Sequence, residues 1–236
     1  MTRILLTGAS RGIGAAAMTA LEKRGAKVVG QATSRGDAGL LAADFRDPDA
    51  AEKLWEKALE ASGGHIDVLV NNAGLFAASA LDSEADDWLS DWEITLRINL
   101  TASAQLSRLA VLHWQETGRP GRVVHVASRA GHRGDSPAHW HYAASKGGML
   151  ALHKTIARAY ANEGILSFAI TPGFTDTAMA GDYLDSRGGE GLLADIPLGR
   201  VAEPEEIAKL IEFCALDAPP SMTGATLDAN GASYVR

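Results

Sequence analysis

Short apolar runs alternate along the chain with longer segments whose apolar residues recur at helical spacing. The runs "DVLVN" and "VVHVA" are almost continuously apolar and rich in valine, as expected for strands that are covered on both faces. Alternation of such strands with helices predicts βαβ units and a parallel sheet. We predict seven strands, at Ile4–Thr7, Lys27–Gln31, Leu40–Asp44, Val68–Asn71, Arg122–Ala127, Leu166–Thr171 and Ala225–Asp228.

Helical patterns fill most of the connections between these strands. The exception is the stretch Ser34 to Gly39, because a parallel crossover normally takes a dozen or more residues and includes a helix. We therefore expect the helix between the second and third strands to be missing. The other predicted helices are Gly12–Arg24, Pro48–Ser62, Trp88–Thr117 (with an interruption near its middle), Tyr142–Asn162 and Pro204–Leu216.

The pattern predicts the α/β class, with one Rossmann-like domain over residues 1–236. Its doubly wound, mostly parallel seven-stranded sheet should carry helices on both faces, and residues 1–100 should form most of the dinucleotide-binding half. Residues 175–200 show no clear period. Because they follow a strand at its carboxyl end, where α/β proteins bind ligands, we predict that they form a substrate lid.

Composition and charge narrow the possible partners. The net charge of -7 argues against binding to nucleic acid or to an anionic membrane surface. No apolar run approaches the ~18 residues of a membrane span, and the run after Met1 is too short for a signal peptide, so we expect a cytoplasmic protein. The single cysteine, Cys214, excludes an internal disulfide and is predicted to be a small buried hydrophobe.

The stretch "ILLTGASRGIG" leads from the first strand into the first helix through a glycine-rich turn. Gly8 allows the turn, Gly12 lets the backbone approach a pyrophosphate, and Gly14 lets the helix pack against the sheet. The start of the helix then offers free N–H groups and a partial positive charge to phosphate. The turn predicts a dinucleotide site.

The stretch "HWHYAASKGG", residues 139–148, places Tyr142 and Lys146 four positions apart, which is one turn on the same face of a helix. An ammonium at ~4 Å, with an effective dielectric constant of about 20, favours the phenolate by ~4 kcal/mol. That energy would lower the tyrosine pKa by about three units, into the range of a general acid or base. The histidines lack the further carboxylate or cysteine that a metal site needs, so no metal is predicted.

The motifs together resemble those of the short-chain dehydrogenase/reductase family. The glycine turn reads T-G-x-x-x-G-x-G, and "NNAG", "INL", Ser128, "YAASK" and "PGFTDT" follow in the family's order, with "VAEPEEIA" and "MTGATLDANG" near the end. The resemblance covers nearly the whole chain. It implies an oxidoreductase that interconverts a ketone and a secondary alcohol, with reduction as the expected direction.

The resemblance also implies the roles of individual residues. Tyr142 is the general acid/base, Ser128 hydrogen-bonds the substrate oxygen, Lys146 also holds the nicotinamide ribose, and Asn99 holds a water that links the lysine to solvent. These four residues are the predicted catalytic set. The predicted cofactor-binding residues are Gly8, Ser10, Arg11, Gly12, Ile13, Gly14, Thr33, Asp44, Phe45, Asn72, Ala73, Gly74, Tyr142, Lys146, Pro172, Gly173 and Thr175.

The end of the second strand bears on the choice between NADP and NAD. Ala32 stands where NAD-preferring enzymes usually place an acid for the adenosine ribose, and Thr33, Ser34 and Arg35 follow it. A 2'-phosphate favours Arg and hydroxyl donors, which Arg11 also supplies, so we predict NADP (NADPH) rather than NAD. The stretch "GAKVVGQATS" is similar to that of bacterial 3-oxoacyl-acyl-carrier-protein reductases, which use NADPH.

The substrate and the assembly follow only from the resemblance. Reduction of a 3-oxoacyl thioester is the nearest activity. An NAD-dependent dehydrogenase of a small alcohol, sugar or steroid-like substrate is the alternative, and a non-catalytic nucleotide sensor is a remote one. The partner is a small carbonyl or alcohol. A homodimer or homotetramer is implied, and small residues from Ala143 to Gly148 would allow close helix packing.

Aromatic residues next to the tyrosine motif leave two interpretations open. His132, His139 and Trp140 either line the substrate entrance or pack within an ordinary loop. Trp88 and Trp92, four residues apart on a predicted helix, are expected to anchor that helix in the core.

Overall fold

Seven parallel strands form one sheet in the order β3-β2-β1-β4-β5-β6-β7. The computed structural model describes residues 1–34, 39–177 and 193–236. The chain winds outward from β1 to β3, returns to the middle of the sheet and continues through β4 to β7. The predicted doubly wound α/β fold is thus confirmed. The strands are β1 Arg3–Leu6, β2 Lys27–Ala32, β3 Leu41–Ala42, β4 Val68–Asn71, β5 Gly121–Val126, β6 Ile165–Pro172 and β7 Thr226–Ala229.

The helices follow the predicted pattern, with one addition. The long third helix is interrupted by a π-helical turn, Arg97–Thr101, and the loop after β5 contains a single helical turn that the sequence did not indicate. The last helix begins at Pro204 and is stabilised by a capping box between Glu203 and Glu206. The α-helices are α1 Gly12–Lys23, α2 Ala50–Ala61, α3 Ala85–Leu96, α4 Ala102–Thr117, α5 Ala130–Arg133, α6 Trp140–Tyr160 and α7 Pro204–Glu212.

Two hydrophobic layers cover the two faces of the sheet. On one face, α2, α4 and α6 pack against side chains such as Leu69 and Val123. On the other face, α1 and α7 pack against Val70 and Phe168. Cys214 lies fully buried in this second layer, as predicted, and burial raises the pKa of its thiol to about 12.

The connection between β2 and β3 is short because β3 is short. The sequence predicts a strand at Leu40–Asp44, but only Leu41 and Ala42 pair with β2, opposite its last two residues. After β2 the chain therefore has to run back along the sheet by the length of only two residues before β3 begins. A short connection is enough to cover that distance. Residues 33, 34, 39 and 40 are not helical, and residues 35–38, which include Arg35, lie outside the described ranges.

The predicted lid, residues 175–200, also lies partly outside the described residues, which omit 178–192. Before that gap, Thr175 forms an isolated parallel bridge with Ala202. Among the helices in the described ranges, none combines the length and the hydrophobicity that crossing a bilayer requires.

Candidate active site

A cavity of about 510 Å³ opens at the carboxyl ends of the strands, where β1 and β4 lead the chain in opposite directions across the sheet. Such a switch point is where doubly wound sheets bind ligands. One end of the cavity is formed by the glycine turn, through Gly8, Ser10, Arg11, Gly12, Ile13 and Gly14. The middle is formed by Asn72, Ala73, Gly74, Pro172, Gly173 and Thr175, and the far end includes Ser128, Tyr142 and Lys146.

The glycine turn has the backbone that a phosphate cradle requires. Gly8 and Gly12 have φ angles of +67° and +53°, in the left-handed region that favours glycine. At Gly14 a Cβ atom would lie only 1.9 Å from the carbonyl oxygen of Gly8, so a larger residue does not fit. The N-cap residue Arg11 makes no side-chain hydrogen bond to the helix, and the first turn of α1 carries no acid. This helix end can therefore accept an anion.

The segment after β4 holds the glycine turn in place. Asn72 donates from Nδ2 to the carbonyl oxygens of Thr7 (2.9 Å) and Gly8 (3.1 Å). In return, Oγ1 of Thr7 accepts the backbone N–H groups of Asn72 and Ala73, both at 3.0 Å. These bonds connect the ends of β1 and β4 and fix the cavity floor between them.

Gln31 also supports the turn, a role that was not predicted from the sequence. Its Oε1 accepts the N–H of Gly8 at 2.8 Å, and its Nε2 donates to the carbonyl oxygen of Ala43 at 2.7 Å. The side chain is buried. The sequence signal for this role was a single amide side chain near the end of an otherwise apolar strand. A buried amide needs hydrogen-bond partners, so its position indicated a structural contact.

Three predicted cofactor residues do not line the cavity. Thr33 is exposed on the β2–β3 connection. The carboxylate of Asp44 pairs with Arg46, with 2.9 Å between Oδ2 and Nε, and hydrogen bonds from Arg46 hold the pKa of Asp44 below its usual value. Phe45 packs in the hydrophobic core, which leaves only its backbone to reach a ligand.

At the far end of the cavity, Tyr142 lies in the first turn of α6, one helical turn before Lys146. Ser128 follows β5 and hydrogen-bonds the side chain of Tyr142. Its Oγ also accepts the N–H of Ala130 at 3.1 Å, which starts the short helix α5. Serine and tyrosine hydroxyls therefore meet at one point of the cavity wall.

Lys146 and Asn99 lie behind the tyrosine. Lys146 is buried and donates from Nζ to the carbonyl oxygen of Val126 at 2.9 Å. Asn99, in the π-helical turn, is also buried; its Oδ1 accepts the N–H of Leu75 at 2.7 Å. A Cβ atom on Gly74 would lie 3.5 Å from Asn99 Oδ1 and 3.6 Å from Lys146 Nζ. The structure therefore brings all four predicted catalytic residues together.

The pKa of Tyr142 contradicts the sequence-based expectation of a lowered value. Burial raises this pKa to about 12, although the hydrogen bond from Ser128 acts in the opposite direction and the charge of Asp135 adds to the rise. The ammonium of Lys146 points to Val126 and lies 5.8 Å from the centre of the tyrosine ring. Burial lowers the pKa of Lys146 to about 8.

The neighbouring histidines pack behind the cavity wall. His139 stacks on Phe76, with 4.1 Å between ring centres, and Phe76 in turn meets the edge of the Tyr142 ring and lines the cavity. His132 stacks on Tyr234 instead. Within the described ranges, no group of three or more His, Cys, Asp or Glu side chains is arranged to hold a metal ion.

The tryptophans near α6 correct another prediction. Trp88 and Trp92 do not anchor a helix in the core; they stack on each other, with 5.4 Å between ring centres, and are only partly buried. Trp140 packs edge-on against Trp88 and is 52% exposed. Like His132 and His139, Trp140 is not among the described residues that line the cavity.

Comparison with known proteins agrees with this site. A family model described as enoyl-(acyl carrier protein) reductase matches residues 8–231. The chain is 36% identical to the 3-oxoacyl-[acyl-carrier-protein] reductase FabG of Escherichia coli, and the match covers 98% of this chain and 96% of that protein. The FabG of Vibrio cholerae matches with the same identity and coverage.

Solved structures give the same result. A putative 2-deoxy-d-gluconate 3-dehydrogenase from Agrobacterium tumefaciens with bound NADP superposes with a TM-score of 0.87 at 30% identity. A putative NAD(P)-dependent gluconate 5-dehydrogenase from Beutenbergia cavernae, also with bound NADP, gives 0.88 at 30% identity. Each match covers 98% of this chain and 96% of the other. The chain therefore belongs to the short-chain dehydrogenase/reductase family, whose members are oxidoreductases that act on alcohol or ketone groups with a nicotinamide cofactor.

Proposed function

We propose that the protein interconverts a ketone and a secondary alcohol with NADP(H), with Tyr142 as the general acid/base. One observation carries this proposal. Ser128, Tyr142, Lys146 and Asn99 converge at one end of a cavity whose other end is a glycine-rich phosphate cradle.

The positions of these side chains assign each of them a separate step in the reaction. When bound, the nicotinamide supplies or accepts a hydride at the substrate carbon. During reduction, Tyr142 donates its proton to the substrate oxygen, while Ser128 holds that oxygen by a hydrogen bond. The charge of Lys146 then stabilises the phenolate that remains.

Asn99 positions the residues around Lys146. Its Nδ2 donates to the carbonyl oxygen of Leu75 at 3.0 Å and to Oγ of Ser145 at 3.1 Å, which ties the π-helical turn to the segment after β4 and to α6. The water that the family resemblance assigns to Asn99 stays a prediction.

The residues at the phosphate end fit a dinucleotide, and their chemistry favours NADP. The N-terminus of α1 would hold the pyrophosphate, while Lys146 would hold the nicotinamide ribose. NAD-binding proteins place an acid at the end of the second strand, where it binds the 2'-hydroxyl of the adenosine ribose. Here that position is Ala32, which leaves space for a 2'-phosphate. Arg11 is exposed on the neighbouring turn, where it can pair with a 2'-phosphate.

The substrate is proposed at the level of chemical class. The curated relatives are named as reductases of 3-oxoacyl groups on acyl carrier protein, and the structural neighbours as dehydrogenases of gluconates. Both classes contain a ketone or a secondary alcohol, so both belong in the first panel of substrates.

A homodimer or homotetramer is proposed from the family alone. Gly148 of α6 is already used in packing within the chain, since a Cβ there would lie 2.7 Å from Cδ2 of Leu100. The molar mass in solution, measured by light scattering on a sizing column, decides the matter. A monomer at micromolar concentration would contradict the proposal.

A turnover assay with NADPH tests the proposed function, and the absorbance of the reduced nicotinamide measures the rate. We expect oxidation of NADPH with at least one ketone, and a loss of about 10²- to 10⁴-fold in kcat/KM for Tyr142→Phe because its general acid is gone. NADPH should bind this variant about as tightly as it binds the wild-type protein.

Tyr160→Phe, at the other end of α6, is the matched control and should keep full activity. A Tyr142→Phe protein with full activity would contradict the mechanism. Tight NADPH binding without turnover of any ketone would instead support the nucleotide-sensing alternative.

A further inference from the structure

The ring of Tyr142 needs a contact of its own to stay in one orientation. The hydrogen bond with Ser128 holds the hydroxyl end of the side chain, but one such bond leaves the ring free to tilt around it. The ammonium of Lys146 is directed to the carbonyl oxygen of Val126 and lies 5.8 Å from the centre of the ring. Neither polar neighbour therefore fixes the plane of the ring.

Phe76 supplies this contact from the segment after β4. Its ring centre lies 4.7 Å from that of Tyr142, and the two ring planes are 78° apart. This edge-to-face arrangement is one of the geometries that aromatic pairs prefer. Both residues line the cavity, so the contact lies in its wall. A tilt of the tyrosine ring would either bring the two rings into collision or separate them.

His139 holds the ring of Phe76 in turn. The two rings are nearly parallel, at 10°, with 4.1 Å between their centres. His139 is buried, and its Nδ1 lies 2.7 Å from Oγ of Ser136 in a hydrogen bond. Its backbone N–H also donates to the carbonyl oxygen of Ser136, at 2.9 Å. The histidine therefore offers Phe76 a surface that is itself fixed at two points.

Hydrogen bonds on both sides of Phe76 hold the backbone that carries it. Before it, the N–H of Leu75 donates to Oδ1 of Asn99 at 2.7 Å, and the carbonyl oxygen of Leu75 accepts Nδ2 of Asn99 at 3.0 Å. After it, the N–H of Ser79 donates to the carbonyl oxygen of Ala138 at 2.9 Å. The segment after β4 is thus tied to the π-helical turn and to the loop that precedes α6.

On the basis of the proposed function, we propose that Phe76 is a positioning residue, which holds the ring of Tyr142 in the orientation that brings its hydroxyl to the substrate oxygen. Phe76 has no proton to exchange, so its effect on the reaction passes through Tyr142. Misplacement of a reacting group by about 1 Å can lower a rate by about 10²-fold, so the orientation of the ring matters. His139 acts one step further away, through Phe76.

Phe76→Leu tests the proposal, because it removes the flat ring and keeps an apolar side chain. With the ketone found in the turnover assay, kcat should fall about ten- to a hundred-fold. KM for the ketone and the affinity for NADPH should stay close to their wild-type values, since the tyrosine loses its orientation and the binding groups remain. Phe76→Tyr keeps the ring and should retain most of the wild-type kcat.

The role of His139 is tested by a double variant. His139→Ala should lower kcat by a smaller factor than Phe76→Leu does. The two changes together should be no slower than Phe76→Leu alone, because the histidine acts through the phenylalanine ring. Additive losses would show that the histidine acts by another route and would overturn this step.

Phe213→Leu is the matched control for the loss of a phenylalanine ring. Phe213 is also partly buried, but it packs on the other face of the sheet, next to the core that contains Cys214. This variant should lose stability in denaturant unfolding and keep the wild-type kcat. An equal loss of kcat in Phe213→Leu and Phe76→Leu would show that the effect is a general consequence of weaker packing, and would contradict the positioning role.

The remaining outcomes separate this inference from the proposed function. A higher KM with unchanged kcat in Phe76→Leu would show that Phe76 binds substrate instead, and would leave the oxidoreductase function standing. A loss of kcat in Phe76→Tyr as large as that in Phe76→Leu would also overturn the positioning role. Absence of turnover by the wild-type protein with every ketone would contradict the proposed function, and the role of Phe76 would fall with it.

Discussion

Tyr142 and Lys146 show at the scale of single residues how burial and charge compete. Burial favours the neutral form of both groups, with pKa values of about 12 for Tyr142 and about 8 for Lys146. Desolvation penalises a phenolate and an ammonium alike, and the two groups stabilise each other only when both are ionised. The tyrosine is therefore protonated at neutral pH, which is the form that reduction requires.

This pairing predicts the pH dependence of the two directions of reaction. Reduction needs a protonated tyrosine, which is present well above neutrality, so its kcat/KM should stay flat up to about pH 8 and fall where Lys146 loses its proton. Oxidation needs the phenolate, so its kcat/KM should rise with pH below that point. Steady-state profiles in both directions measure this. A reduction rate that already falls at neutral pH would show that Tyr142 has a lowered pKa instead.

The identity of these residues could be predicted from the sequence, but their energetics could not. Tyr142 and Lys146 are four residues apart in a segment with a helical pattern, which predicts that they share one turn. The direction of the shift in the Tyr142 pKa depends on where Nζ of Lys146 points. That atom donates to the carbonyl oxygen of Val126, which lies 20 residues before Lys146 in the sequence. Gln31 escaped prediction for the same reason, since its partner at Gly8 is distant along the chain.

At the scale of elements, close packing between α5 and α6 fixes the position of the catalytic lysine. A Cβ atom on Gly131 would lie 2.8 Å from the backbone carbon and oxygen of Lys146, and backbone atoms cannot move aside alone. Gly147 faces the same contact, but a Cβ atom there would meet the carbonyl oxygen of Gly131 at 3.4 Å, an ordinary distance.

Two glycine substitutions therefore have opposite expected effects. Gly131→Ala should push α6 away, cost about 1–3 kcal/mol of unfolding free energy and lower kcat/KM. Gly147→Ala is the matched control; it should leave activity intact and stabilise the helix by about 0.5–1 kcal/mol, because alanine favours a helix. Denaturant unfolding and kinetics measure both effects. Equal stability and activity of the two variants would show that the α5–α6 contact does not position Lys146.

Strands and long helices could be predicted from the sequence because their hydrophobic period is local. The short helix α5 could not be predicted, and β3 was predicted at Leu40–Asp44 with more than its two residues, because neither element is long enough to show a period. Their formation depends on tertiary contacts, such as the bond from Ala130 to Ser128 and the pairing of Leu41 with Gln31.

At the scale of the whole molecule, the cavity joins the two halves of the sheet. Its walls come from the turn after β1 on one side and from the segments after β5 and β6 on the other, so a ligand that spans it contacts both halves. A ligand that binds only the folded chain raises stability by about 2.7 kcal/mol at a concentration of 100 Kd. For a chain of this size, that corresponds to a rise of about 5 to 10 °C in Tm.

Thermal unfolding can therefore test the preference for NADPH. At equal concentration, NADPH should raise Tm by more than NADH does, because a 2'-phosphate gains an ion pair with Arg11. Arg11→Ala should reduce the NADPH shift to that of NADH and leave the NADH shift unchanged. Arg158→Ala, at an exposed site on α6, is the control. Equal shifts of the wild-type protein with the two cofactors would overturn the preference for NADP.

The tryptophans outside the core lie close to the candidate active site, so their fluorescence should respond to cofactor binding there. Trp55 and Trp114 are buried in the core, whereas Trp88, Trp92 and Trp140 form a stack that ends two residues before Tyr142. Because tryptophan emission overlaps the absorption band of a reduced nicotinamide, we expect excitation energy to pass from these three tryptophans to a bound reduced cofactor. Cofactor binding should then be measurable as a loss of intrinsic fluorescence, without a label, and Trp140→Phe should reduce that loss by the contribution of the tryptophan that lies two residues before Tyr142.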